Sequence, residues 1–124
     1  MEREPKSGQA VDTDRISHLE WYPKLYIGIS LQRSAAKLKG LIEKRYPTAT
    51  RYYLLCLPQS EHNQLEIYQA YQLWKPLFDG GSGRIVGICS GKPEALALLK
   101  TILDESMRAG YGCDMRRFLE AHWQ

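Results

Sequence analysis

Cysteine is sparse in this chain: Cys56, Cys89 and Cys113 stand far apart, in odd number and without a C-x-x-C pair. That spacing excludes a paired zinc or redox element and predicts reduced thiols, two of them acting as small hydrophobes inside apolar segments. Histidine is equally scarce. His18, His62 and His122 do not stand at metal-ligand spacing, so neither a metal nor any other cofactor is expected. Long apolar runs are missing as well, since Leu54–Pro58 with its flanking tyrosines falls far short of the roughly 20 residues a bilayer helix needs. The polar start Met1–Ala10 has no apolar core of the kind a secretory signal requires. A cytoplasmic protein with no membrane partner is the expectation. Strong charge of one sign is absent too: a net charge of +3 does not by itself imply a nucleic-acid partner.

What remains is the composition of an ordinary globular domain, with 44% apolar and 25% charged residues, which argues against disorder of the whole chain. Residues 1–20 are polar and mixed in charge, and they carry too little apolar surface to offset their ordering entropy. They are predicted to form a flexible N-terminal extension, with a single α/β domain over residues 21–124 that opens at Trp21-Tyr22-Pro23.

Strict alternation of Leu25, Ile27 and Ile29 predicts a first strand over Lys24–Ser30. Ser34 is placed to cap a helix carrying Ala35, Leu38 and Ile42, which Tyr46-Pro47 would stop. Arg51–Leu57 and Arg84–Ser90 are apolar on both faces and read as buried strands. Between them, Asn63–Glu66 has the form of a capping box and Ile67, Ala70, Tyr71 and Trp74 recur at helical spacing, with Pro76 as a stop. A helix is favoured there over a strand. Pro93 suits a first turn, and Ala95, Leu98, Leu99, Ile102 and Ser106 trace the longest helical stripe, ended by Gly110. Asp114 caps a last short helix with Met115, Phe118, Leu119 and His122 on one side.

This order predicts an α/β fold with a small three-stranded, mostly parallel sheet, strand order 2-1-3, and helices on both faces. A ferredoxin-like α+β arrangement is the alternative if residues 64–74 form a strand. The segments KLYIGIS, YYLLCLPQS, NQLEIYQAYQL and RIVGICSGKPEALALL, with a closing CDMRRFLE, resemble those of a group of small uncharacterised bacterial α/β proteins. The resemblance spans most of residues 24–120 and implies a shared fold; the group has no established activity to carry over.

In open parallel sheets, ligands bind beyond the carboxyl ends of strands, near helix N-termini. Three segments qualify: Ser30–Ser34, Pro58–Asn63 and Ser90–Pro93, which parallel strands would bring to one edge. The last is no P-loop, because Val86 and Pro93 stand where that motif has its first glycine and its Ser/Thr. Nor is Cys89 in a cysteine phosphatase loop, since Ala95 occupies the arginine position. An anion or small-ligand site made by Ser30, Arg33, Ser90, Gly91 and Lys92 is left as the candidate, and no catalytic residue is assigned. Asp79–Arg84 is glycine-rich but precedes a strand, so it reads as a mobile loop.

Charge is most uneven over residues 33–51, where Arg33, Lys37, Lys39, Lys44, Arg45 and Arg51 face only Glu43. Lys37, Lys39, Lys44 and Arg45 are the candidates for nucleic-acid contact, although a solvated helix face is the simpler meaning and no such partner is expected. The leading expectation is therefore a non-catalytic binding or protein-interaction module. A second copy of the chain is its candidate partner, through Tyr68, Tyr71, Trp74 and Phe78. The alternatives are a ligand binder or enzyme using the strand edge, and a nucleic-acid-associated protein using the first helix.

Overall fold

Seven regular elements make up the fold in the computed structural model, which describes residues 19–60, 62–74 and 81–123. They are β1 (Glu20–Ile27), α1 (Ala35–Glu43), β2 (Tyr53–Pro58), β3 (Glu66–Gln69), β4 (Gly81–Cys89), α2 (Lys92–Arg108) and α3 (Met115–Ala121). Short 3₁₀ turns at Ile29–Leu31, Pro47–Ala49 and Ala70–Trp74 join them. The strands form one mixed sheet in the order β1-β4-β2-β3, so the molecule belongs to the α+β class.

Only β1 and β4 are parallel; β2 runs antiparallel to both of its neighbours, β4 and β3. The predicted three-stranded, mostly parallel sheet in the order 2-1-3 is thereby corrected to four strands with two antiparallel pairings. Two-sided burial misled the prediction because it reports that helices cover both faces and carries no information about strand direction. Leu54 and Cys56 of β2 pack on the α1 side, while Leu55 and Leu57 pack on the side of α2 and α3. Direction is set by α1. Its nine residues span only about 14 Å, and the chain leaves the carboxyl end of β1 and re-enters the sheet at Tyr53 opposite Cys89, the carboxyl end of β4. The excursion therefore begins and ends at the same edge, and β2 has to run back down.

The segment expected as a helix after Asn63 contains β3. Asn63 Nδ2 does donate to Glu66 Oε2 at 3.0 Å, but the contact closes a turn, and Glu66–Gln69 then pairs with Tyr53–Cys56. Pairing places Ile67 on the α2 side and Tyr68 on the α1 side, a period of two that wins over the helical spacing. The strand half of the ferredoxin-like alternative is met, but its order is not, because the described link from β3 to β4 holds a 3₁₀ turn where that fold has a helix.

The three helices lie close to where their patterns put them. Along α2 the buried positions are Ala95, Leu98, Ile102 and Ser106, with Pro93 in the first turn and Gly110 in the left-handed conformation beyond its end. Each large side chain so buried contributes roughly 1.5–3 kcal/mol, and Ile102→Ala would cost about 2–5 kcal/mol. At the start of α3, Asp114 accepts from the Arg117 N–H at 3.3 Å, as its capping role requires. Ser34 occupies the N-cap of α1 without a side-chain cap bond.

One residue in α1 and one in the turn that ends it stand at a cost that packing does not require. Gly40 lies mid-helix with open space where a Cβ would go, though alanine would be better there by about 1 kcal/mol. Arg45 has φ 60° in a Schellman turn, with its N–H on Ile42 O and that of Tyr46 on Leu41 O. Glycine is usual at that position, and a side chain costs roughly 1–2 kcal/mol.

β1 starts at Glu20 and ends at Ile27, so Ile29 leaves the expected strand stripe and lies 85% exposed in the turn that follows. A wide bulge interrupts this strand: Trp21 pairs with Ile85 and Tyr26 with Gly87, so five steps along β1 match two along β4. Pro23, which has no N–H to give a ladder, sits inside it. At Gly87 a Cβ would lie 3.3 Å from Tyr26 O and 3.4 Å from Leu98 Cδ1, so a side chain there would press on both β1 and α2. Residues 81–84, expected in a mobile loop, belong to β4. Residues 1–18, Pro76, Phe78, Asp79 and Gly80 lie outside the described residues, and with them most of the predicted extension.

Candidate functional site

Parallel pairing of β1 and β4 brings Ser30 and Ser90 together, with their hydroxyls 3.1 Å apart. Their backbone N–H groups and the first turn of α2 form the donor-rich edge expected for an anion. A carboxylate of the chain already fills it. Glu94 Oε1 accepts from the Ser90 N–H at 2.9 Å and from its hydroxyl at 3.0 Å, while Oε2 accepts from the Ser30 N–H at 3.0 Å. These bonds, led by the Ser90 N–H, hold the Glu94 carboxyl down at about 2, well below the usual carboxylate range. Gly28 makes the approach feasible, for a Cβ there would lie 2.2 Å from Glu94 Oε1 and 2.9 Å from Cys89 Cβ.

Gly91 is the N-cap of α2, Lys92 is its exposed first residue, and Arg33 is exposed in the turn before α1. Pro58–Asn63 does not join them. Because β2 is antiparallel, that loop lies at the opposite edge, where Arg116 donates to Ser60 O and Gln64 Oε1 accepts from the Arg116 N–H at 2.9 Å. Glu94 was missed by sequence reasoning, although an acidic residue in the first turn of a helix is a recognisable signal for occupying its own N-terminus.

A second polar concavity lies on the α2–α3 side, next to edge strand β1. Tyr22, Lys24, Tyr26, Glu105, Phe118 and His122 line a cleft of about 430 Å³, within the usual range for small-molecule sites. The β1 bulge builds its wall. Residues four apart in a regular strand are separated by roughly 13 Å, yet the Tyr22 and Tyr26 rings stack at 5.8 Å with planes only 10° apart. Behind them Trp123 packs on Tyr22 at 5.3 Å, and Phe118 meets His122 at 4.8 Å.

The Tyr26 hydroxyl donates to Glu105 Oε1 at 2.5 Å. Burial, and then the Glu105 carboxylate, push the Tyr26 phenol far above its ordinary range, so it keeps its proton and acts as a fixed donor. Burial also raises Tyr22. His122 Nδ1 lies 2.8 Å from Phe118 O, an arrangement that makes Nδ1 the donor. The strand thiols are no nucleophiles: burial pushes Cys56 up to about 12 and Cys89 up to about 11.

On the opposite side of the sheet, Lys37, Lys44 and Arg45 are exposed along and beyond α1, and Lys39 sits 5.5 Å from the Trp21 ring. Of the aromatic set proposed for self-association, Tyr68 is half-buried against the α1-side core and Tyr71 is 38% exposed. Among the described residues no helix is long and apolar enough to cross a membrane. No family model, curated protein or solved structure matches this chain.

Proposed function

We propose that the protein is a non-catalytic binding module whose β1–α2–α3 cleft takes a small organic amine or amino-acid-like ligand. The observation that carries this reading is the Glu105 carboxylate: one oxygen is held by Tyr26, and the other takes no hydrogen bond among the described residues, in a cleft walled by tyrosine and phenylalanine rings. A carboxylate beside aromatic faces suits an ammonium group, which gains from both the charge and the ring quadrupoles. Lys24, exposed at the rim, is placed to meet a ligand carboxylate. A binding role is favoured over a catalytic one because the groups best placed for chemistry are fixed in one state, the phenol and both buried thiols protonated and Glu94 ionised at its own backbone donors.

Ligand-observed NMR with free amino acids and simple monoamines tests it. Binding by amine-bearing compounds that is lost in Glu105→Gln, with the fold intact by circular dichroism, is the expected result. Equal binding of amine-free analogues, or an unchanged response in the variant, would remove the reading.

A further inference from the structure

The segment that holds α1 is independent of that cleft and carries the most lopsided charge in the chain, six cations over residues 33–51 against Glu43 alone. Glu43 is itself turned aside, its Oε2 accepting from Trp21 Nε1 at 2.8 Å. Arg33, Lys37 and Lys44 recur at helical spacing and are all exposed, and Gly40 lies between them. The two residues held at a cost that packing does not explain, Gly40 and Arg45, both belong to this surface. A missing side chain at Gly40 lets a bulky partner reach the helix backbone between two lysines, and arginine kept where glycine would be easier keeps one more charge at the helix end. Beside Arg45, Tyr46 is 49% exposed, and the Arg51 guanidinium lies 5.3 Å from the Tyr52 ring.

We propose that this face binds single-stranded nucleic acid, with phosphates on Lys37, Lys44 and Arg45 and an unstacked base on Tyr46. Basic residues interleaved with an exposed ring are what sequence-tolerant single-strand binding uses, the charges following the backbone and the ring stacking a base. An anionic membrane fits less well, because surface-bound helices insert apolar side chains, and here Leu38 and Ile42 of α1 are buried in the core. The exposed apolar residues Ile29, Leu96 and Met107 belong to other segments.

The test is fluorescence anisotropy of a labelled oligothymidylate of about 20 nucleotides, long enough to cover one such site, titrated with the full chain at several salt concentrations. Affinity should fall with salt at a logarithmic slope of about −2 to −3, the value for three or four phosphate contacts on a single strand. The double reversal K37E/K44E should weaken binding tenfold or more, and Tyr46→Ala should weaken it several-fold while leaving the salt slope unchanged. Both variants alter exposed positions, and circular dichroism reports independently that they are folded. Absence of binding at low salt, binding indifferent to K37E/K44E, or binding to phosphatidylserine vesicles in place of the oligonucleotide would overturn the proposal.

Discussion

Replacing Glu94 by glutamine tests whether the strand edge is closed by an internal anion. The amide keeps the size of the side chain but has one acceptor oxygen where the carboxylate uses two, and it carries no charge for the helix N-terminus. Glu94 titrates at about 2 in the folded protein against an ordinary 4.5, a gap that corresponds to at most about 3.4 kcal/mol of stability. Its side chain is half-buried at the surface, where solvent still screens the interaction, so a loss of about 1–2 kcal/mol is expected, or a Tm lower by roughly 5–10 °C. Because folding depresses this pKa, the contribution is fully present above about 4.5 and fades as the pH falls; about two-fifths of it remains at pH 3. Urea denaturation of wild type and variant from pH 7 to pH 3 should therefore give a stability difference that narrows on acidification. Carboxyl NMR should place Glu94 well below the other glutamates. Equal stability at neutral pH within about 0.5 kcal/mol, the spread of ordinary surface changes, or an ordinary Glu94 titration, would refute the account.

Gly28→Ala should cost about 1–3 kcal/mol by forcing Glu94 and the Cys89 Cβ aside, and the loss should shrink when Glu94 is also changed to alanine, a coupling that a double-mutant cycle reads. Thiol labelling of the native protein should modify Cys113 alone, with Cys56 and Cys89 reacting only on unfolding; three equally fast thiols would contradict the buried placement of the strand cysteines. Ser106 is fully buried, and its hydroxyl donates to Gly112 O at 2.9 Å, which ties the α2–α3 turn to the helix. Ser106→Ala should lower stability by about 1–3 kcal/mol and speed hydrogen exchange around residues 110–113.

Helices were the legible part of this chain, because the stripe Ala95-Leu98-Ile102, the Asp114 cap and the Gly110 stop each act within a few residues of themselves. Strand direction was not legible. Nothing in the residues of α1 says that a nine-residue helix returns the chain to the edge it left, and that path alone turns β2 around. β3 was hidden by overlap, since Ile67, Ala70 and Tyr71 satisfy a helical spacing while Leu65 and Ile67 also satisfy a strand spacing, and only pairing to β2 decides between them. At the candidate edge, Ser30 and Ser90 do lie side by side, but Glu94 between them was not foreseen, because it reaches Ser30 across 64 positions of sequence. The cleft depends on a bulge whose local sign, Pro23 within an otherwise regular strand pattern, was read as a strand entrance.

That bulge also bears on how copies of this protein meet one another. β1 is an edge strand, and an unbroken edge invites a second chain to add its own strand. Between Trp21 and Tyr26 the backbone departs from the ladder spacing, Pro23 offers no donor, and Lys24 brings a charge to the rim. A neighbouring copy therefore finds no continuous row of hydrogen-bonding groups to follow along this side. The irregularity that stacks Tyr22 on Tyr26 thus also leaves this side of the sheet without an unbroken edge for extension.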